Sequence, residues 1–283
     1  MREGSVLCPS SAGFHRMDYY EWGAPSAPVL LCVHGLTRTG RDFDYFAAAM
    51  SDRYRVVCPD VAGRGRSEWL ADPSLYTNRK YVDDMAVLIA SLGVDVVDWL
   101  GTSMGGLIGM LTAALPNHPI KRLIINDVGP HIPQAALARI ADYVGIEFRF
   151  KDMWQAGRHV REAYAPFGRL SDSQWDHLTT HSVRDHEDGG LALCYDPEIA
   201  VPFKPVEAVD MWDVWDAISC PVLAIRGGES DVLLAETAEE MRGRGPEAEL
   251  IEFADCGHAP PLMAGDQIHA VRDWLEGKYD HHS

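Results

Sequence analysis

The stretch "DWLGTSMGG" at residues 98–106 follows the apolar run "VDVV" and leads into "LIGMLTAAL", so that Gly101, Ser103 and Gly105 spell G-x-S-x-G between a strand pattern and a helix pattern. In that setting the spacing forces a sharp turn that lifts the serine hydroxyl clear of the sheet, with small residues relieving crowding on both sides. The helix starting near Met104 aims its first amides at the same spot, where they favour developing negative charge. The glycines do not fit a nucleotide site. A serine stands where a dinucleotide fingerprint requires glycine, "AGRGRSE" at 62–68 ends on Glu68 instead of glycine, and no G-K-[ST] is present.

Outward from this turn, short runs rich in Val, Ile and Leu alternate with longer helical patterns. Strands are expected at 28–35, 54–60, 94–101, 121–127, 220–227 and 248–255, separated by helices such as "YVDDMAVLIASL" and "DQIHAVRDWLEG". Near-continuous apolar strands alternating with helices imply a mainly parallel sheet covered on both faces. The opening "GFHRMDYYEWG" alternates as an antiparallel edge hairpin would. Between His131 and Asp216 no core strand is evident, and an insertion of that size is most simply a helical cap. The expected division is therefore a core of 1–130 and 217–283 with a cap of 131–216.

A serine hydroxyl is a poor nucleophile near neutral pH unless an imidazole takes its proton and an anion holds the imidazole. Of the twelve histidines, His258 in "ADCGHAPPLM" alone sits on a turn after the last strand; His269 lies in the following helix, and His281 and His282 in the tail. For the acid, Asp231 in "RGGESDVLL" is the expected residue, on the loop after strand 220–227. Asp127 lies one strand earlier within reach of the same histidine, and Glu229 is two residues from Asp231. The second oxyanion donor beside the amide of Met104 is expected from Leu36 in "HGLTRTG" at 34–40, where a strand ends in a tight turn.

Taken in order, H-G after the first long strand, "CPDVAGRGRSEW", "GTSMGG", "SD" and "GHAP" resemble the α/β-hydrolase fold family over nearly the whole chain. The resemblance implies an α/β fold, a mainly parallel eight-stranded sheet flanked by helices, with the helical cap inserted after the sixth strand. It also implies Ser103 as nucleophile, His258 as base and Asp231 as acid. Ser103 speaks against relatives with an aspartate nucleophile, such as epoxide hydrolases and haloalkane dehalogenases. The mechanism needs no cofactor and no metal.

Composition narrows the partners. With 42 acidic against 25 basic side chains the net charge is −17, which argues against nucleic acid or an anionic membrane as partner. No apolar run is long enough to span a bilayer, and "MREGSVLCPSS" has no apolar core of a secretory signal. The six scattered cysteines, with no CxxC pair, suit reduced thiols of a cytoplasmic protein.

A small-molecule substrate beneath the cap is the expected partner, and a small or medium carboxylic ester its expected class. The same machinery also serves carbon–carbon hydrolysis of ring-fission products, lactones or thioesters. A ligand-binding protein on the same fold is the non-enzymatic alternative. Arg38 is a candidate for a substrate carboxylate, whereas Arg64 and Arg66 are expected to brace their loop. His177 and His181 share helical spacing, with Asp185 and His186 near, but "HLTTH" lacks the glutamate of a zinc-protease motif and reads as polar cap surface. Trp154, Trp175, Trp212 and Trp215 are expected mainly to pack, with one or two lining the acyl pocket.

Overall fold

The structure, a computed structural model, describes residues 1–203 and 208–278; His281 and His282 fall outside them. Strands β1 (Arg2–Ser10) and β2 (Gly13–Trp22) form the expected antiparallel hairpin. They are followed by β3 (Val29–Val33), α1 (Asp44–Met50), β4 (Arg55–Pro59), α2 (Asn78–Ser91), β5 (Val97–Thr102), α3 (Met104–Ala113) and β6 (Ile120–Asn126). After the insertion come β12 (Val222–Gly227), α8 (Ala235–Gly243), β13 (Glu249–Phe253) and α9 (Gly265–Leu275). The eight strands lie in the order β1-β2-β4-β3-β5-β6-β12-β13, and from β4 to β13 every pairing is parallel.

The strand sequences explain this layering. All five residues of β3 are buried, because successive side chains face opposite sides of the sheet and both sides are covered. Leu31, Val33, Val57 and Trp99 pack with Met85 of α2 and Ile108 of α3. Leu30, Cys32, Val56 and Leu100 pack on the other face with Phe46 of α1 and Val271 and Trp274 of α9. Each such side chain contributes about 1.5–3 kcal/mol of burial. All six cysteines are buried and free.

The insertion between β6 and β12 is not purely helical as expected. Helices α4 (Gln134–Ala141), α5 (Met153–Ala163), α6 (Asp172–Thr180) and α7 (Trp212–Asp216) are joined by short strands. Strands β8 (Arg149–Phe150), β9 (Val183–Asp185) and β10 (Leu191–Leu193) make a small antiparallel sheet, while β7 (His131–Ile132) pairs with β11 (Val209–Asp210). Two or three residues hold too little periodicity to reveal a strand.

The insertion is tied to loops beyond the carboxyl ends of the core strands. Arg38 Nη1 donates to Ser182 Oγ at 2.7 Å, Thr37 Oγ1 and Tyr164 Oη are 3.0 Å apart, and Arg139 pairs with Asp231 at 2.7 Å. It therefore covers the edge of the sheet at which Ser103 emerges.

Candidate active site

Ser103 links β5 directly to α3 with φ 51° and ψ −114°, a left-handed conformation that a non-glycine residue adopts only when its surroundings enforce it. The two glycines around it do the enforcing. A Cβ on Gly101 would lie 2.1 Å from the Gly105 carbonyl oxygen, and one on Gly105 would lie 2.0 Å from the Val33 carbonyl oxygen. The turn is further held by the Ser103 amide, which donates to the Asn126 carbonyl at 2.9 Å.

Ser103 Oγ lies 3.0 Å from His258 Nε2, and His258 Nδ1 lies 2.8 Å from Asp127 Oδ2. With the carboxylate accepting from Nδ1–H, Nε2 is left free to accept from the serine hydroxyl. Asp127 directly follows β6, is fully buried, and takes two more hydrogen bonds: the Gly227 amide at 2.8 Å on Oδ1 and the Ser230 hydroxyl at 2.6 Å on Oδ2. Three donors converge on this one carboxylate.

This corrects the expected acid. Asp231 does not reach His258; its carboxylate receives Arg139 Nε at 2.7 Å and Nη2 at 2.8 Å, with both side chains about half exposed. Neighbouring residues in this loop face opposite ways, so that Ser230 is buried against Asp127 and Asp231 turns outward to the insertion. Glu229 is likewise not among the partners of His258.

Two polar residues that the sequence did not flag hold these groups in place. Asn126 Nδ2 donates to Thr102 Oγ1 at 3.0 Å and to the Pro260 carbonyl at 2.8 Å, which joins the ends of β5 and β6 to the His258 loop. His34, completely buried, donates from Nδ1 to the Gly35 carbonyl at 2.7 Å and accepts the Val61 amide on Nε2 at 2.9 Å. Burial pushes its pKa down to about 4, so it stays neutral.

The turn after β3 brings Leu36 beside the serine: a Cβ on Gly35 would lie 3.7 Å from that of Ser103. Met104, the first residue of α3, has an amide with no acceptor inside its own helix. Arg64 braces both from behind. Fully buried, it donates to the Leu36 carbonyl at 2.8 Å, the Ala62 carbonyl and Tyr81 hydroxyl at 2.7 Å each, and contacts Met104 Sδ at 3.7 Å. Arg66, by contrast, is exposed and pairs with Glu3 at 2.5 Å.

Two cavities meet at Ser103. The larger, about 350 Å³, is walled chiefly by apolar groups including Leu107, Ile132, Leu137 and Val232. The smaller, about 90 Å³, includes His258, Arg139, Tyr143 and Tyr164 in its wall. Ser103 and Leu36 line both.

Arg38 reaches the smaller cavity, yet its charge is already committed. Nε and Nη2 donate to Asp42 at 2.8 and 2.6 Å, and the guanidinium lies 4.4 Å from the centre of the Tyr164 ring. Burial alone would lower its pKa, but Asp42 holds it well above its ordinary value. The expectation that Arg38 receives a substrate carboxylate, and with it the case for a ring-fission substrate, loses its support.

None of the tryptophans lines either cavity. Trp175 packs between insertion and core, Trp215 is buried in the main core, Trp212 lies under Arg244, and Trp154 is exposed beside Arg158. His177 and His181 do come together, their rings 4.6 Å apart and near Asp44. Asp44, however, is held by Arg41 Nε at 2.9 Å, and His177 Nε2 lies 3.0 Å from the Arg41 carbonyl, so the group forms a seam between α6 and α1. His186 lies elsewhere, near Glu147 and Asp188. Among the described residues, no helix is long and apolar enough to cross a membrane.

Known proteins resemble this chain over most of its length. The chain is 48% identical over 287 residues to a 3-hydroxybutyrate-oligomer hydrolase of Cupriavidus necator, covering 98% of each. It is 33% identical to a bifunctional esterase/perhydrolase of Acinetobacter calcoaceticus, over 88% of this chain and 92% of that one. A crystal structure of an alpha/beta hydrolase from Novosphingobium aromaticivorans superposes with a TM-score of 0.85 at 35% identity, covering 97% of this chain and 98% of the other. With residues 30–271 matching the family as well, the chain belongs to the alpha/beta hydrolase family.

Proposed function

We propose that this hydrolase cleaves short oligoesters of 3-hydroxy acids through an acyl-enzyme on Ser103. The observation that carries the mechanism is the continuous chain of contacts from Ser103 Oγ through His258 to Asp127. His258 takes the hydroxyl proton as Ser103 attacks the ester carbonyl, and Asp127 stabilises the imidazolium that forms. The amides of Leu36 and Met104 receive the oxyanion, each such donor typically worth about 3 kcal/mol of barrier. His258 then protonates the departing alkoxide, and a water molecule repeats the sequence to free the acid.

The substrate class draws on the 48% identity to the 3-hydroxybutyrate-oligomer hydrolase, and the two cavities that both border Ser103 suit an ester with a chain in each. A fluorophosphonate probe should label the wild type and leave Ser103→Ala unlabelled. In parallel, 3-hydroxybutyrate dimer and trimer should be hydrolysed with higher kcat/KM than p-nitrophenyl acetate. An unlabelled wild type would overturn the enzyme reading, and turnover of simple esters alone would overturn the substrate class.

A further inference from the structure

We propose that Arg139 is the receptor for the terminal carboxylate of the oligoester, so that chains are shortened from their carboxyl end. This rests on the ester-hydrolase reading above and adds to it a direction of attack and a residue that sets it.

The departing alkoxide must be protonated by His258, so the alcohol half of the substrate lies on the side of the serine that His258 lines. His258 lines the smaller cavity and not the larger. The acyl half, which carries the rest of the chain, is left the apolar cavity of about 350 Å³, and the leaving unit the one of about 90 Å³. In a 3-hydroxy acid oligomer the alcohol half at the carboxyl end is a single hydroxy acid bearing a carboxylate. A protein of net charge −17 repels such a group unless a local cation receives it.

The smaller cavity holds two cations, Arg38 and Arg139. Arg38 is closed in by Asp42 and Ser182. Arg139, on α4 of the insertion, uses only Nε and Nη2 on Asp231, and its Nη1 has no partner among the described residues. The pair is about half exposed, where an ion pair is weak and readily shared. A substrate carboxylate therefore meets a guanidinium with free donors, held by a competing anion that solvent already reaches.

The chemistry balances. The scissile C–O bond breaks to release one hydroxy acid, its new hydroxyl taking the proton from His258. Water then adds to the acyl-enzyme and frees a chain one unit shorter that again ends in a carboxylate. Each product chain thus presents the group that Arg139 binds.

The test compares 3-hydroxybutyrate trimer as free acid with its methyl ester, in wild type, Arg139→Gln and Asp231→Asn. The wild type should favour the free acid, and Arg139→Gln should lower the acid-to-ester ratio of kcat/KM about tenfold or more. Asp231→Asn breaks the same ion pair from the other side, yet should raise that ratio, since it removes the competitor and keeps the receptor. A structural latch would move both variants the same way, and that result overturns the proposal. With trimer labelled at its hydroxyl end, the first products should be labelled dimer and unlabelled monomer; labelled monomer overturns the direction. If the wild type hydrolyses p-nitrophenyl butyrate but neither trimer, the substrate class itself fails, and this inference with it.

Discussion

Asp127 and Asp231 both lie near carboxyl ends of core strands, and what separates them is where each side chain turns. Asp127 collects the Gly227 amide, the Ser230 hydroxyl and His258, whereas Asp231 faces Arg139. Asp127→Asn keeps the shape but removes the charge and the acceptor that set the imidazole tautomer, so kcat for p-nitrophenyl butyrate should fall by on the order of 10⁴. Asp231→Asn removes no bond to the imidazole and should fall far short of that loss. Steady-state kinetics on the two purified variants decide the assignment, and the reverse ranking would return the acid to residue 231. Serine and histidine were legible because G-x-S-x-G and the turn after the last strand each single out one residue. The acid was not, because the direction of a loop side chain leaves no trace in spacing.

At the scale of elements, the strand and helix patterns of the core reappear with ends shifted by up to three residues. Five buried apolar residues such as those of β3 leave little choice of structure. The insertion was less legible: its strands are two or three residues long, and none of its tryptophans lines a cavity. A demanding junction lies between β5, β3 and α3, where a methyl group at residue 105 meets backbone at 2.0 Å. Gly105→Ala should therefore lower stability by about 1–3 kcal/mol or more, read as a drop in Tm, and should slow fluorophosphonate labelling of Ser103. An unchanged melting curve would mean that the elbow yields more readily than its contacts imply. Asn126→Ala should act differently, lowering kcat more than KM is raised, because it unties the His258 loop from β5 and β6.

Across the whole molecule, buried titratable groups set the response to acid. The pKa values of His34 and His181 are pushed down to about 4, mainly by burial, while burial pushes Asp60 up to about 6. An unfolded histidine takes its proton near pH 6.5, so between 6.5 and 4 the unfolded chain binds more protons at both histidines, and stability falls as pH falls. Asp60 works against this between about 6 and 4, since its folded form already holds the proton. The histidines, with His159 also pushed down by burial, outweigh the single carboxylate, so a net loss of stability remains as pH falls through that window. The urea midpoint should decline from pH 7 to 5, and more steeply in Asp60→Asn; a midpoint that rises on acidification would refute this balance.

The place of Asp127 in chain order has a consequence for what the insertion is free to change. Ser103 follows β5, Asp127 follows β6, and these two strands are direct neighbours in the sheet, while the insertion begins only beyond them. Among the described residues, the proposed set of Ser103, His258 and Asp127 takes no side chain from the covering segment. A change in the length or sequence of that segment would reshape the cavities it lines while leaving these contacts in place.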